Sequence, residues 1–379
     1  MLVLVINCGS SSVKYQVRDT DQQGEGNQVI AKGLIENVGT KIPDHTAALA
    51  IMAEELKTPL HGKTIDSIGH RVVQGGDVFT EPVLIDDQVL QQIDDLSPLA
   101  PLHNPAHVLG IKAATETYPG VPQVAVFDNA FHSTMPEYVY RYAVPEELVE
   151  KYGVRRYGAH GTSHDYVTGV AAEYLGVERD QFNAVVAHLG NGASITAVEG
   201  GKCLDTSMGY TPLAGLIMGT RSGDIDPSVL TNLMMRDPEL TPERMDQMLN
   251  KESGLLAIAG NNDMRAVVEA MEGGDERAKL ALDMASYRLA KYIGGYHVAV
   301  GGMQALIFTA GIGENSSPFR ELTVSRLGAL GIKLDMAANQ VRSDEPHLIS
   351  TEDSAIPVLV VPTNEEKAIA EATEVIVAG

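Results

Sequence analysis

Six small or polar residues, Asn7-Cys8-Gly9-Ser10-Ser11-Ser12, separate an unbroken apolar run from Leu2 to Ile6 from the alternating segment Val13 to Arg18. Glycine and serine in such a turn can offer backbone N–H groups and hydroxyls to a phosphate, and Lys14 just beyond adds a point charge. The flanking segments read as strands. The first is apolar enough to be buried on both faces; the second puts Val13, Tyr15 and Val17 on one face and Lys14, Gln16 and Arg18 on the other. No helix comes after the turn, whereas a P-loop or dinucleotide fingerprint requires strand, glycine loop and helix in that order. Alone, the stretch also fits an ordinary hairpin with a serine-rich turn. A second copy favours the phosphate reading: Ala184 to Val198 repeats the plan, with Gly190-Asn191-Gly192 as the turn and Ser194 expected where Ser12 stands. Two such hairpins imply a duplicated domain, and one arrangement of that kind holds a nucleotide in the cleft between the halves.

Other residues able to do chemistry punctuate the chain. Arg71 stands on the tail of a strand spanning Ile65 to Gln74, before Gly75-Gly76, where a surface ion pair of little energetic worth is its plain explanation. Asn104 is expected to cap a helix with Pro105 at its first position, which leaves His103 an orienting role beside the helix N-terminus. Asp128 ends the buried strand Gln123 to Phe127, where open α/β sheets gather ligand sites. It could act on a metal or an arginine, or cap a helix from Asn129 onward. Arg155-Arg156-Tyr157-Gly158-Ala159-His160-Gly161-Thr162-Ser163-His164 then packs two arginines and two histidines into ten residues. Thr162 or Ser163 can cap a helix ending at Gly176, but neither explains His160. His160 precedes Gly161, outside that helix, so it is not expected to share a face with His164, and zinc is disfavoured.

Further on, Asp205 to Pro227 holds a long irregular loop with Arg221 between Gly219 and Gly223, a length usually reserved for function. A small-residue loop, Ala310-Gly311-Ile312-Gly313-Glu314-Asn315, comes after the strand Ala305 to Thr309. Glu365, after the strand Ile356 to Val361, is either a helix-dipole residue or a metal-site carboxylate.

The elements that must position these groups are interleaved strands and helices. A turn is expected at Gly24 to Gln28, and Leu49, Met52 and Leu56 mark one helix face. Helices are expected at Pro145 to Tyr152, Pro227 to Arg236, Pro242 to Leu249 and Glu276 to Tyr296, with a last one running to Val377. At 379 residues the chain suits two domains. A formal charge of -22, from 50 acidic against 28 basic side chains, argues against nucleic acid or an anionic membrane surface as the main partner. Phosphate binding then needs the few arginines concentrated locally. Cys8 and Cys203 have no zinc-type spacing, which points to a reducing, cytoplasmic setting. Met1 to Ile6 lacks the basic start of a signal peptide. The uncharged stretch Tyr292 to Gly313 is interrupted by Gly294-Gly295 and Gly301-Gly302, so a helix end, a turn and a buried strand explain it better than a membrane span.

In order along the chain, the motifs Asn7-Cys-Gly-Ser-Ser-Ser, His70-Arg-Val-Val, Ala100-Pro-Leu-His-Asn-Pro, Arg155-Arg-Tyr-Gly, His160-Gly-Thr-Ser-His, His188-Leu-Gly-Asn-Gly and Gly219-Thr-Arg-Ser-Gly-Asp-Ile-Asp-Pro resemble those of the acetate kinases. That family lies in the superfamily of acetate and sugar kinases, heat-shock chaperones and actin. The resemblance implies an α/β fold of duplicated actin-like (ribonuclease H-like) domains with mixed sheets and a nucleotide cleft between them. Domain one would span 1–135, joined by the helix 366–379, and domain two 136–365. It further implies a homodimer that moves the γ-phosphoryl group of ATP reversibly to acetate, giving acetyl phosphate and ADP, with Mg²⁺ or in its place Mn²⁺.

Carried onto this sequence, the resemblance puts the metal near Asn7 and Glu365 and gives Lys14 to the nucleotide phosphates. His188, Leu189, Gly190, Asn191, Gly192, Asp263, Met264, Arg265, Gly311, Ile312, Gly313, Glu314 and Asn315 would complete the nucleotide site. Arg71 would hold the acyl carboxylate with His103 nearby, and Val73, Leu102, Ala159 and Pro212 would line the acyl pocket. His160 and Arg221 would face the phosphoryl group, and Asp128 is the family's nominal acid/base residue. Because a short carboxylic acid is already ionised at neutral pH, no base is required, and Asp128 is read instead as orienting Arg221 or a metal-bound water. Gln74, Ala310 and Asn129 depart from the family pattern without removing a charged group. A propionate or longer-chain acyl kinase is the alternative within enzymes, and an ATP-driven switch of the chaperone or actin type the alternative outside them.

Overall fold

A computed structural model describes residues 1–21, 28–101 and 103–379. The expected turn at Gly24 to Gln28 falls outside them except for Gln28, and so does Leu102. Among the described residues, twelve strands form two six-stranded sheets. The first holds β1 (Leu2–Cys8), β2 (Ser12–Asp19), β3 (Gln28–Glu36), β4 (Ser67–Val72), β5 (Val83–Leu84) and β6 (Gln123–Phe127), in the order β3-β2-β1-β4-β6-β5. The second holds β7 (Ala184–Leu189), β8 (Ala193–Glu199), β9 (Lys202–Thr206), β10 (Ala305–Thr309), β11 (His347–Leu348) and β12 (Val358–Val360), in the order β9-β8-β7-β10-β12-β11. Adding six to each strand number turns the first order into the second. Strand directions match as well: β1 and β4 pair in parallel as β7 and β10 do, and each hairpin is antiparallel. Even the irregularity repeats, since the register shifts after Val17 in one sheet and after Ala197 in the other, four residues past the closing pairs at Val13 and Ala193.

The register corrects one expected equivalence. Lys14 sits opposite Asn7, and Ser194 sits opposite His188, each one step from its closing pair. Ser194 therefore matches Lys14, not Ser12. The second turn is one residue shorter than the first, so counting from the glycines misaligns the two copies.

The chain divides into two compact units, one of Met1–Ser133, Gly161–Ser163 and Asn364–Gly379, the other of Thr134–His160 and His164–Thr363. In the first, β1 is buried on both faces, as its unbroken apolar run requires. Leu2, Leu4 and Ile6 point into a cluster with Leu49, Met52 and Leu56. Those three lie on the helix His45–Leu60, started by the Asp44 side chain accepting from Ala47 N and ended by His61 in the left-handed conformation. Val3 and Val5 pack on the other side with Val124, Val126, Ile369 and Ala370, the last two from the helix Glu365–Ala378. Arg18 departs from the expected polar face, being buried. Asn104 is not a cap either. The helix is Asn104–Thr117 with His103 at the cap position, and the Asn104 amide is buried, bonded to Gln74 N, Gln74 O and Ile93 O.

In the second unit the central strand β7 is buried throughout. The helix Glu276–Ala299, capped by the Asp275 carboxylate, lays Ala281, Leu282, Ala285, Leu289 and Ile293 against the sheet core. Tyr292 to Gly313 is then a helix end, a turn and β10, and no described helix is long and apolar enough to cross a membrane. The expected loop at Ala310 to Asn315 is instead a short helix, Ala310–Asn315, entered through Ala310 at φ +65°.

Candidate active site

In the first unit, β4 and β6 run parallel, with Arg71 opposite Val126. Their carboxyl ends bring Arg71 beside Asp128. The Asp128 carboxylate is 1% exposed and grips the guanidinium in a fork, with Nε 3.1 Å from Oδ1 and Nη2 on Oδ2. Glu365 Oε2 lies 3.7 Å from the same Nε. Burial works against the Arg71 charge, but Asp128 and Glu365 more than offset it and push its pKa up. This is a half-buried, bidentate pair, not a surface one, and Arg71 is the guanidinium that Asp128 grips within its own unit. Gly161 N donates to the Asp128 carbonyl at 2.6 Å, so close that a Cβ at 161 would overlap that oxygen. Glycine is required there by contact.

Lys14 pairs with Glu366 in the first turn of the Glu365–Ala378 helix. His70 and His107 lie behind Arg71, buried and neutral. Burial pushes the His70 pKa down to about 4 despite its 2.7 Å bond to Gln123, and that of His107 to about 3, with Arg71 adding to the effect. Burial also raises the Cys8 thiol to about 12, which removes it as a nucleophile. Val73 is buried, and His103 stands at the helix start without a side-chain capping bond.

For a divalent ion, the Asn7 amide oxygen and the Glu365 carboxylate are oxygen donors of the kind that Mg²⁺ takes. No cluster of three or more His, Cys, Asp or Glu suited to a metal occurs among the described residues. Mg²⁺ usually binds one or two carboxylates and completes its shell with water and substrate phosphates. The residues present fit the ion.

In the second unit the loop between Ser207 and Asp226 has no regular element, yet it is fastened throughout. Asp224 accepts from Gly215 N and from the Tyr292 hydroxyl, both at 2.7 Å, and Gly219 N donates to Asn191 O at 3.0 Å. Those ties deliver Arg221 to the hairpin turn. Its Nη1 is 3.2 Å from Pro212 O and 3.9 Å from Met218 Sδ, and it has no carboxylate partner among the described residues. Burial alone lowers its pKa. Above Gly192 two donors converge: a Cβ built there would stand 3.4 Å from Arg221 Nη1 and 3.7 Å from both Cε1 and Nε2 of His160.

His160, not Thr162 or Ser163, stands at the cap position of the helix Gly161–Leu175, with a left-handed backbone, φ +59°. Its ring stacks on His188 with centroids 4.2 Å apart and planes 19° from parallel. His160 Nδ1 lies 3.0 Å from Ser194 Oγ, and His164 Nε2 lies 2.7 Å from the same oxygen. The two histidines do converge, contrary to the helix-face argument, because the turn at His160 swings its ring back; they meet on a hydroxyl. Ala159 is buried beside them in the sequence.

A cleft of about 860 Å³ opens in the same unit, lined by Gly190, Asn191, Asp263, Met264, Arg265, Gly311, Ile312 and Asn315. That volume suits a nucleotide-sized ligand. Asp263 caps the helix Met264–Glu272 and grips the Arg265 guanidinium, which holds its own carboxyl down to about 2. Leu189 is instead a core residue, and Gly313 is packed under Phe308. Glu314 turns its carboxylate inward, accepting from Ala310 N at 2.9 Å and Thr363 N at 3.0 Å. Asn262, Glu272, Ser316 and Arg342 also line the cleft. Asn262 stands in the polar run Gly260-Asn261-Asn262-Asp263, and Ser316-Ser317-Pro318 carries a helix-start signal. Arg342 has no local signal at all.

The sequence profile of the acetokinase family matches residues 2–371. The chain belongs to that family. It is 59% identical to the acetate kinase of Kocuria rhizophila, over the whole chain and 98% of the relative. Among solved structures, it matches the crystal structure of Porphyromonas gingivalis acetate kinase with a TM-score of 0.93 at 43% identity, covering 99% of each chain. A propionate kinase from Francisella tularensis matches equally, with the same score, identity and coverage. The duplicated α/β fold and membership among the carboxylate phosphotransferases are thus established.

Proposed function

We infer that the protein transfers the γ-phosphoryl group of ATP to acetate. The observation that carries the reading is the pairing of Arg221 and the His160 edge above Gly192, where a guanidinium without a carboxylate partner among the described residues faces space beside the nucleotide turn. An acetate oxygen attacks the γ-phosphorus, the bond from phosphorus to the bridging oxygen breaks, and ADP leaves with that electron pair; acetyl phosphate is the other product. Charge spreads over the three equatorial oxygens during transfer, so catalysis is mostly positioning and electrostatic stabilisation. Arg221 and His160 supply donors to those oxygens. Arg71 takes the substrate carboxylate through its Nη1 edge, while Asp128 fixes the guanidinium plane. Acetate arrives ionised, so no residue needs to remove a proton. Asn7 and Glu365 would hold Mg²⁺, which would neutralise phosphate charge. Lys14, released from Glu366, would serve the phosphates. The same reading takes the protein as a cytoplasmic homodimer with lobes 1–135 plus 366–379 and 136–365.

Propionate is the second reading, supported by the small side chain of Ala159, if that residue lines the acyl pocket. One methylene is worth only about 1 to 3 kcal/mol in an apolar pocket, so propionate should be used less well than acetate and butyrate poorly. A switch that only hydrolyses ATP has no carboxylate to clamp, which leaves Arg71 unexplained. The test is acyl phosphate formation from ATP with acetate, propionate and butyrate. Acetate should give the highest kcat/KM. Absence of acyl phosphate with every acid, alongside ATP hydrolysis, overturns the reading.

A further inference from the structure

We propose that Ser194 is a positioning residue that keeps the ring proton of His160 on Nε2, in a relay that starts at His164. This rests on the reading of His160 as the group facing the phosphoryl oxygens. Ser194 Oγ contacts His164 Nε2 at 2.7 Å and His160 Nδ1 at 3.0 Å. A hydroxyl has one proton to give and lone pairs to receive. It therefore donates to one ring and accepts from the other, and heavy-atom positions fit both orders.

In one order His164 Nε2–H donates to Oγ, Oγ–H donates to His160 Nδ1, and His160 keeps its proton on Nε2. In the other, His160 Nδ1–H donates to Oγ and Nε2 is left as a bare lone pair. One observation and one chemical preference select the first. Nε2 is on the edge that stands with Arg221 above Gly192, and phosphoryl oxygens accept hydrogen bonds but cannot donate to a lone pair. Both rings then carry Nε2–H, the tautomer imidazole prefers in water. Ser194 and His164 are fully buried, so bulk water does not compete for the hydroxyl, and bonds in such a chain reinforce one another. His188, stacked on His160 and opposite Ser194 across the hairpin, holds the ring plane. The register adds a point of origin: Ser194 occupies the place that Lys14 holds in the other hairpin, so one position serves as a charge in one copy and as a proton-ordering hydroxyl in the other.

The test is two-bond ¹H–¹⁵N NMR of the full-length protein labelled with ¹⁵N-histidine, the His160 signals being identified by their loss in His160→Gln. Wild type should show a protonated Nε2 and a bare Nδ1. Ser194→Ala should give mixed tautomers and lower kcat by on the order of ten- to a hundredfold, with the KM for ATP changed less than about twofold. Ser194→Thr, which keeps the hydroxyl, should restore the single tautomer and most of the rate. If Ser194→Ala does not fold, His164→Gln, whose amide N–H can still donate to Oγ, should preserve the His160 tautomer and His164→Leu should lose it. A proton on Nδ1 in wild type overturns the proposal, as does a Ser194→Ala protein with unchanged tautomer and kcat. Failure of the underlying reading looks different: His160→Gln within a few-fold of wild-type kcat removes the phosphoryl role while the tautomer result stands.

Discussion

Two arginines divide the electrostatic work by the company they keep. Arg71 is locked by Asp128 and attended by Glu365, so its plane is fixed before substrate arrives. Among the described residues, the Arg221 guanidinium is held by a carbonyl and a thioether and by no carboxylate, which leaves its charge available to an incoming anion. Its removal should therefore act on the reaction more than on the fold. Arg221→Ala is expected to lower kcat by on the order of a thousandfold, as loss of a transition-state arginine does elsewhere. Steady-state rates on protein with an unchanged melting temperature decide it, and a kcat within a few-fold of wild type would remove Arg221 from the chemistry. Arg221→Lys should recover little, because an ammonium cannot present the guanidinium fork.

At the scale of elements, the strands are the legible part. Gln123–Phe127 and Ala305–Thr309 fall where apolar runs place them, because a buried strand must be apolar at every position. The elements and contacts that escape are set by tertiary structure. Asn104 has the look of a cap, but its amide is spent on Gln74 and Ile93, and nothing local to Asn104 announces those partners. Ala310–Asn315 reads as a loop because small residues carry no period; its helix is enforced by Glu314 reaching back to Ala310 N. Likewise, the partner of Asp128 lies 57 residues away on a neighbouring strand, beyond the reach of spacing arguments.

Ala310 offers an element-scale test. Its φ of +65° costs a residue with a Cβ roughly 1 to 2 kcal/mol, against about 0.5 to 1 kcal/mol that glycine loses through greater freedom in the unfolded chain. Ala310→Gly should stabilise by about 0.5 to 1 kcal/mol, raising Tm by a degree or two. Thermal melts of the two proteins settle this, and a lower Tm for the glycine variant would show that the left-handed turn is not strained.

For the molecule as a whole, acid stability follows from histidines that stay neutral when folded. The unfolded chain protonates such rings near pH 6.5, whereas folded His70 resists until about pH 4. Between those values the unfolded state binds more protons, so stability is lost as pH falls through that window. Tm should drop between about pH 6.5 and about pH 4.5, and His70→Asn, which has no ring to protonate, should shrink the drop. An equal drop in both proteins assigns the effect to other groups.

The first sheet also carries a constraint in time. One face of β1 is covered by Ile369 and Ala370, and β1 with β4 and β6 forms the floor on which the helix Glu365–Ala378 lies. A ribosome makes the floor first and its cover only after residues 134–363 have been added, an interval on the order of tens of seconds at ~5–20 residues per second. Throughout that wait Val3, Val5, Val124 and Val126 face water or whatever else the cell provides. Nascent chains stalled before residue 364 should thus be recognised by chaperones and proteases even where the second unit is already folded.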